Sequence, residues 1–179
     1  PVLARLERMT EAPRSATPID AIADAWVDTL AERVPTLATY IGRSEHNARY
    51  GDYSPAGADA LAVEARKTLA ALRAEEPVDD IDRVTKADLT RELELDLELH
   101  DAQWHLRDLN VIASPPQDIR AVFDLMPTDT ADEWSVIATR LGAVPEAVRG
   151  YVETLRAGVS AGVVPAQRQV REVVTQIGR

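Results

Sequence analysis

Apolar residues recur at helical spacing along almost the whole chain, and that periodicity leaves little room for any other structure. Ile19, Ile22, Ala23, Trp26, Val27, Leu30 and Val34 fall at offsets of 0, 3, 4, 7, 8, 11 and 15, which trace one face of an α-helix. Thr17-Pro18 precedes them as a start signal, with Thr as N-cap, Pro at the first helical position and Asp20 in the first turn. Pro35 interrupts, and Thr36 to Ile41 add a turn or two before Gly42. Ser54-Pro55 repeats the cap-plus-proline start and predicts a helix to about Ala74, with Leu61, Ala65, Leu69 and Leu72 inward. A shorter amphipathic stretch, with Val2, Leu3, Leu6 and Met9 at helical spacing, opens the chain and stops at Pro13.

An acidic linker from Glu75 to Asp82 leads into the longest expected helix, Thr85 to Arg107, with Thr85 and Asp88 as a capping pair. Inside it Leu93, Leu95, Leu97 and Leu99 alternate with acids, which is a strand pattern over seven residues. Leu and Glu are strong helix formers and poor strand formers, so helix is the better reading. Leu89, Leu93, Leu97, His100 and Trp104 would form one apolar face, and Leu95, Leu99, Ala102 and Leu106 another. Such a helix should lie sandwiched between neighbours.

Further on, Pro116 or Gln117 to Leu125 reads as a short helix, and Thr130 with Glu133 as a capping box. That helix carries Trp134, Ile137, Ala138 and Leu141 and should break at Gly142. Pro145 to about Ala157 follows, with Val148, Val152 and Leu155 inward and a fraying end at Gly158 and Gly162. Pro165 restarts a last helix bearing Val170, Val173, Val174 and Ile177. The expectation is an all-α fold, an irregular multi-helix bundle of about seven to eight helices. Residues 1–16 would be an N-terminal extension and residues 17–179 the helical domain.

Composition narrows function by exclusion. The chain has no cysteine, which removes disulfides, thiolate zinc sites, iron–sulfur clusters and cysteine nucleophiles. Thirty acids against twenty bases give a net charge of −10, so nucleic acid and anionic membrane are poor partners. No apolar run approaches the length of a membrane span. No signal pattern opens the chain, and the expected compartment is the cytoplasm.

Catalytic motifs are absent: there is no HExxH, GxSxG, Walker loop or GxGxxG. His100 and His105 are five residues apart, which on one helix would point them to different sides and rule out a shared metal. Asp96 with His100, and Asp101 with His105, sit at i, i+4, a spacing that suits either an oriented imidazole or a plain helix-surface pair. Glu92, Glu94, Asp96, Glu98 and Asp101 spread around a helix rather than wrap a cation, so they read as a solvated face. Trp26, Trp104 and Trp134 each fall on an apolar face and read as core. The loop 42–54 is the least regular segment, and its Arg43, His46, Tyr50 and Asp52 offer a cation, a base, a phenol and an acid.

Four stretches together resemble the bacterial domain of unknown function family 885. They are Val34-Pro35-Thr36-Leu37-Ala38-Thr39-Tyr40-Ile41-Gly42; His46 followed by Tyr50-Gly51-Asp52-Tyr53-Ser54-Pro55; Leu89 to Glu98 followed by Asn110 and Ser114-Pro115; and Leu155 to Pro165 with its two spaced glycines. The resemblance covers about residues 17–179. It implies a zincin-like peptidase, similar to helical carboxypeptidase-like zincins, whose HExxH motif lies downstream of this stretch. This chain would then be the N-terminal helical portion of a longer protein, without a catalytic residue or zinc ligand of its own. Any zinc would belong to the full-length parent. In such proteins the N-terminal helices wall or cover a deep substrate cleft, which makes His46, Tyr50, Asn110 and Ser114 candidates to face a peptide substrate.

Two functions follow from different classes. In the first, the chain is the cleft wall of a zinc-dependent metallopeptidase, and its partner is the missing C-terminal portion of the same protein. In the second, it is a non-catalytic interaction module that forms a homo-oligomer. Both expect an exposed apolar face that includes the last helix. A small hydrolase built on Asp96 and His100 ranks last, because neither a nucleophile nor an oxyanion donor is apparent.

Overall fold

Capping decides where the helices begin. In the computed structural model, which describes residues 14–178, the Thr17 hydroxyl accepts from the Asp20 backbone N–H at 3.1 Å, and the Asp20 carboxylate accepts from the Thr17 N–H at 2.9 Å. This box opens α1 (Pro18–Arg33), and Pro35 starts α2 (Pro35–Tyr40) directly behind it. A 3-10 turn at Ser44–His46 and an irregular stretch lead to α3 (Pro55–Ala74), capped by Ser54. Next come α4 (Asp80–Asp101) and a 3-10 turn at Trp104–Arg107. Helix α5 (Pro115–Ala121) runs into a 3-10 turn at Val122–Leu125. The long α6 (Ala131–Ala161) and α7 (Gln167–Ile177) complete the order. Among the described residues there is no strand, and the fold is all-α with seven helices. The expected helix at residues 2–10, and nearly all of the expected extension, lie outside the described residues.

The main core lies where α1, α3 and α4 pack together. Trp26, Ala65, Leu69 and Leu93 are its buried centre, with Leu30, Leu61, Leu89 and Leu97 packed around them. Each fully buried Leu side chain contributes about 2 kcal/mol. A polar clamp fixes one end of this layer. Arg14 pairs with Asp20, Asp79 and the buried Asp82. The Asp82 carboxylate also accepts from the Thr17 hydroxyl at 2.8 Å and the Val78 N–H at 3.0 Å, so the start of α1 is tied to the start of α4.

Several expected boundaries differ. Helix α4 begins at Asp80, not Thr85, because Asp79 is the cap and accepts from the Asp82 N–H at 2.8 Å. Asp80 and Asp82 then place two negative charges in the first turn, where the helix dipole favours them. The helix ends at Asp101, since Gln103 adopts a left-handed φ of 56° and turns the chain into a separate 3-10 turn. The second apolar face of α4 is not sandwiched: Leu95 and Leu99 are exposed, and Leu106 reaches the interior only because the chain turns first. The tryptophans differ too, for Trp26 is core but Trp104 and Trp134, also expected as core, are 47% and 57% exposed. Trp134 donates its indole N–H to the Thr128 carbonyl at 2.9 Å, and Trp104 carries the Arg107 guanidinium 5.0 Å above its ring.

Helix α6 is unbroken through Gly142 and Pro145. Its buried residues are Arg140, Ala147, Tyr151, Thr154 and Gly158, at offsets of 0, 7, 11, 14 and 18, one continuous helical face. Packing along that face outweighs the local weakness of Gly and Pro, and the carbonyl that Pro145 leaves without a helical donor belongs to the exposed Leu141. Val148 therefore points outward instead of inward. Gly158 does not fray; a Cβ there would meet the Leu106 carbonyl oxygen at 2.4 Å, so its bareness lets the 3-10 turn at Trp104–Arg107 lie against α6. The helix stops at Gly162, which takes the left-handed C-cap conformation.

Candidate functional site

Three stretches far apart in sequence meet between α3, α6 and the 3-10 turn after α4. They are residues 49–54, residues 105–108 and residues 151–154, and they enclose a cleft of about 630 Å³. Ligand pockets commonly have this size. Side chains of the third stretch tie down the other two. The Thr154 hydroxyl donates to the Tyr53 carbonyl at 2.7 Å, and the Tyr151 hydroxyl donates to the Asp108 carbonyl at 2.7 Å. The Tyr50 hydroxyl donates to the Ile119 carbonyl at 2.7 Å.

With the Tyr50 and Tyr151 hydroxyls engaged, the tyrosines offer rings. Tyr50 and Tyr53 lie 6.5 Å apart between centres, tilted by 56°. Burial pushes the Tyr50 phenol up to about 12. Burial also raises Tyr53, and it raises Tyr151 with the help of the neighbouring Asp108 charge. All three therefore stay neutral in the physiological range.

Behind Tyr50 lies Arg140, which is fully buried. Its guanidinium sits 5.0 Å from the Tyr50 ring centre, and Nη1 donates to the Thr39 hydroxyl at 2.8 Å. Thr39 passes the bond on to Asn47 Oδ1 at 2.7 Å. Nε and Nη2 have no partner among the described residues, and burial lowers the Arg140 pKa. This cation braces the wall but does not line the cleft.

On the opposite side lie Asp108 and His105. Burial lifts the Asp108 carboxyl above its ordinary value, and the negative charge of Asp118 adds to the effect. Its nearest donor is the Asn110 amide, at 3.5 Å. His105 has a buried Nδ1 without a partner, and its pKa is pushed down by burial first and by His100 second. The two imidazoles stack, 5.2 Å between centres and 13° from parallel. That overturns the expectation that they point apart: α4 ends between them, and the left-handed Gln103 folds His105 back. Neither expected i, i+4 pair forms. His100 Nε2 lies 3.0 Å from Asp59 and Nδ1 lies 3.4 Å from Asp101, whose carboxylate also accepts from Arg66 at 2.8 Å.

The four residues singled out in the sequence separate. Tyr50 lines the cleft. His46, in the 3-10 turn, lies with Nδ1 2.8 Å from the Arg49 guanidinium, outside the cleft lining. Asn110 closes a turn, accepting from the N–H groups of Ile112 at 2.9 Å and Ala113 at 2.8 Å. Ser114 is buried and bonds back to Asn110, donating to its carbonyl at 2.9 Å. The structure thus joins Asn110 with Ser114 in one internal loop. From the loop 42–54, Asp52 joins Tyr50 at the cleft, whereas Arg43 turns away to Asp28 at 2.5 Å. The sequence did not single out Tyr151, Asp108 or Arg140, and it offered His105 only as a helix partner of Asp101. Arg140 gave no signal, because the apolar pattern of that helix put Leu141 inward, and Leu141 is exposed.

Among the described residues, no three His, Asp or Glu side chains converge to hold a metal ion, and no helix is long and apolar enough to cross a membrane. The described part of this chain therefore offers no ligand set for the implied zinc.

Fold and site together define an all-α protein with an aromatic, polar-edged cleft. The family model described as "Bacterial protein of unknown function (DUF885)" matches residues 35–179, and the chain belongs to that family. No curated protein sequence matches the chain.

Proposed function

We propose that this chain forms one wall of a peptide-binding cleft in a larger zinc-dependent metallopeptidase, and that the hydrolytic groups lie outside it. The observation that carries this reading is the cleft of about 630 Å³ between Tyr50, Tyr53 and Tyr151. Rigid aromatic rings, two of them with engaged hydroxyls, suit the alternating apolar and polar surface of a short peptide. The peptidase part of the reading rests on the sequence resemblance; the cleft contributes the place where a peptide would lie.

Titration of the isotopically labelled protein with short peptides tests the binding claim. Amide shifts should cluster at residues 50–54, 105–108 and 151–154. Shifts confined to α7, or none at peptide concentrations of several millimolar, would contradict it. The second reading, a homo-oligomer, draws on α7, where Val174 and Ile177 are 65% and 72% exposed. Sedimentation equilibrium separates the two, because a dimer that dissociates on Val174→Glu would favour the interaction module.

A further inference from the structure

Most polar groups of the cleft are engaged; apart from the neutral His105 Nδ1, the exception is a carboxylate. Arg49 donates to the Glu32 carbonyl at 3.0 Å and to its carboxylate at 2.6 Å. Arg33 lies 3.8 Å from Glu64. Asp52 accepts from the Ser54 N–H at 2.8 Å, and the Ser54 hydroxyl caps α3. Tyr50, Tyr151 and Thr154 each donate to a backbone carbonyl. The Asp108 carboxylate remains, half-buried, with one long contact to Asn110.

Among the described residues no cation offsets that charge. Arg107, its chain neighbour, lies over Trp104 instead. Arg140 is sealed behind Tyr50. His105 stays neutral through burial and so brings no competing positive charge. Asp118 adds negative potential from outside the cleft. A half-buried carboxylate without a counter-charge, beside aromatic rings whose faces attract cations, is an acceptor for a positive group.

We propose that Asp108 anchors a protonated amine of the ligand, either a peptide's terminal ammonium or a basic side chain, seated among the rings of Tyr50, Tyr53 and Tyr151. An ammonium brings three donors and one positive charge to a corner that offers acceptors and π-faces. The inference rests on the reading of this cleft as a peptide site and narrows it to amine-bearing peptides.

The test uses three probes on the whole protein, followed by amide shifts. They are alanyl-leucinamide with a free terminal amine, its N-acetylated form, and N-acetyl-lysine methylamide. Each is titrated into the wild type, Asp108→Asn and the exposed control Glu153→Gln, with melting temperature as the check on folding. At least one amine-bearing probe should bind about tenfold more tightly than the neutral one, and added salt should weaken it. The preference should fall below twofold in Asp108→Asn and persist in Glu153→Gln. Tighter binding of the first probe identifies the terminal ammonium, and of the third the basic side chain. Equal binding of all three at the cleft, or a preference that survives Asp108→Asn, would overturn the role of Asp108 and leave the peptide reading intact. No shift at the cleft with any probe would overturn both.

Discussion

Asp108 carries a cost to the fold that can be measured apart from any ligand. Its carboxyl is lifted above the ordinary 3.8 by burial, so between that value and its raised folded value the native state holds more protons than the unfolded chain. The charge therefore opposes folding fully above the folded value and not at all below 3.8. Asp108→Asn should raise the melting temperature at pH 7 by about 1–3 °C, and the gain should vanish as the pH falls below the ordinary carboxylate range. A lower melting temperature at pH 7 would mean that the carboxylate has a favourable partner, and the anchor would lose its basis. Sites that bind or catalyse often carry such a stability cost. Its role was not legible in the sequence. Asp108 reads there as loop, and the tyrosine that bonds its carbonyl is 43 residues away. Arg140 was hidden for a related reason, since a charged side chain in the core breaks the apolar pattern used to find core.

At the scale of elements, the helices that announce themselves with a cap and a proline were legible to the residue: Thr17-Pro18 and Ser54-Pro55 open α1 and α3. The boundaries that were misplaced depend on tertiary packing. The start of α4 was visible in principle, because Asp79, Asp80 and Asp82 form a cap with first-turn acids, but Thr85 offered a competing cap. The continuity of α6 was not visible, because its inward face is Arg, Ala, Tyr, Thr and Gly instead of Leu and Val. Two glycines on α6 make the difference testable. Gly142 has open space around its missing Cβ, so Gly142→Ala should stabilise the protein by about 0.5–1 kcal/mol through helix propensity. Gly158 faces the Leu106 and Val163 carbonyl oxygens, so Gly158→Ala should destabilise it by about 1–3 kcal/mol. Chemical denaturation of both variants reads the two signs. If Gly142→Ala destabilised, the helix would break there after all.

On the scale of the whole molecule, one three-helix core holds α1, α3 and α4, while α6 and the turn beside it hold the cleft against that core. The apolar side of α7 stays open, with Val173 buried beneath and Val174 and Ile177 outside. The overall all-α class followed from periodicity alone, but the cleft did not, because it is made of three stretches that only the fold brings together. The central claim is that this wall binds a peptide while zinc elsewhere does the hydrolysis. The most direct test is peptide turnover by the longer protein that this reading proposes, with and without a zinc chelator, in the wild type and in Asp108→Asn. The account predicts that the chelator abolishes turnover and added zinc restores it. It also predicts that Asp108→Asn raises KM for amine-bearing peptides about tenfold with kcat nearly unchanged. Turnover that survives chelation would contradict it, whereas an unaltered KM in Asp108→Asn would remove the anchor alone and leave the peptide wall standing.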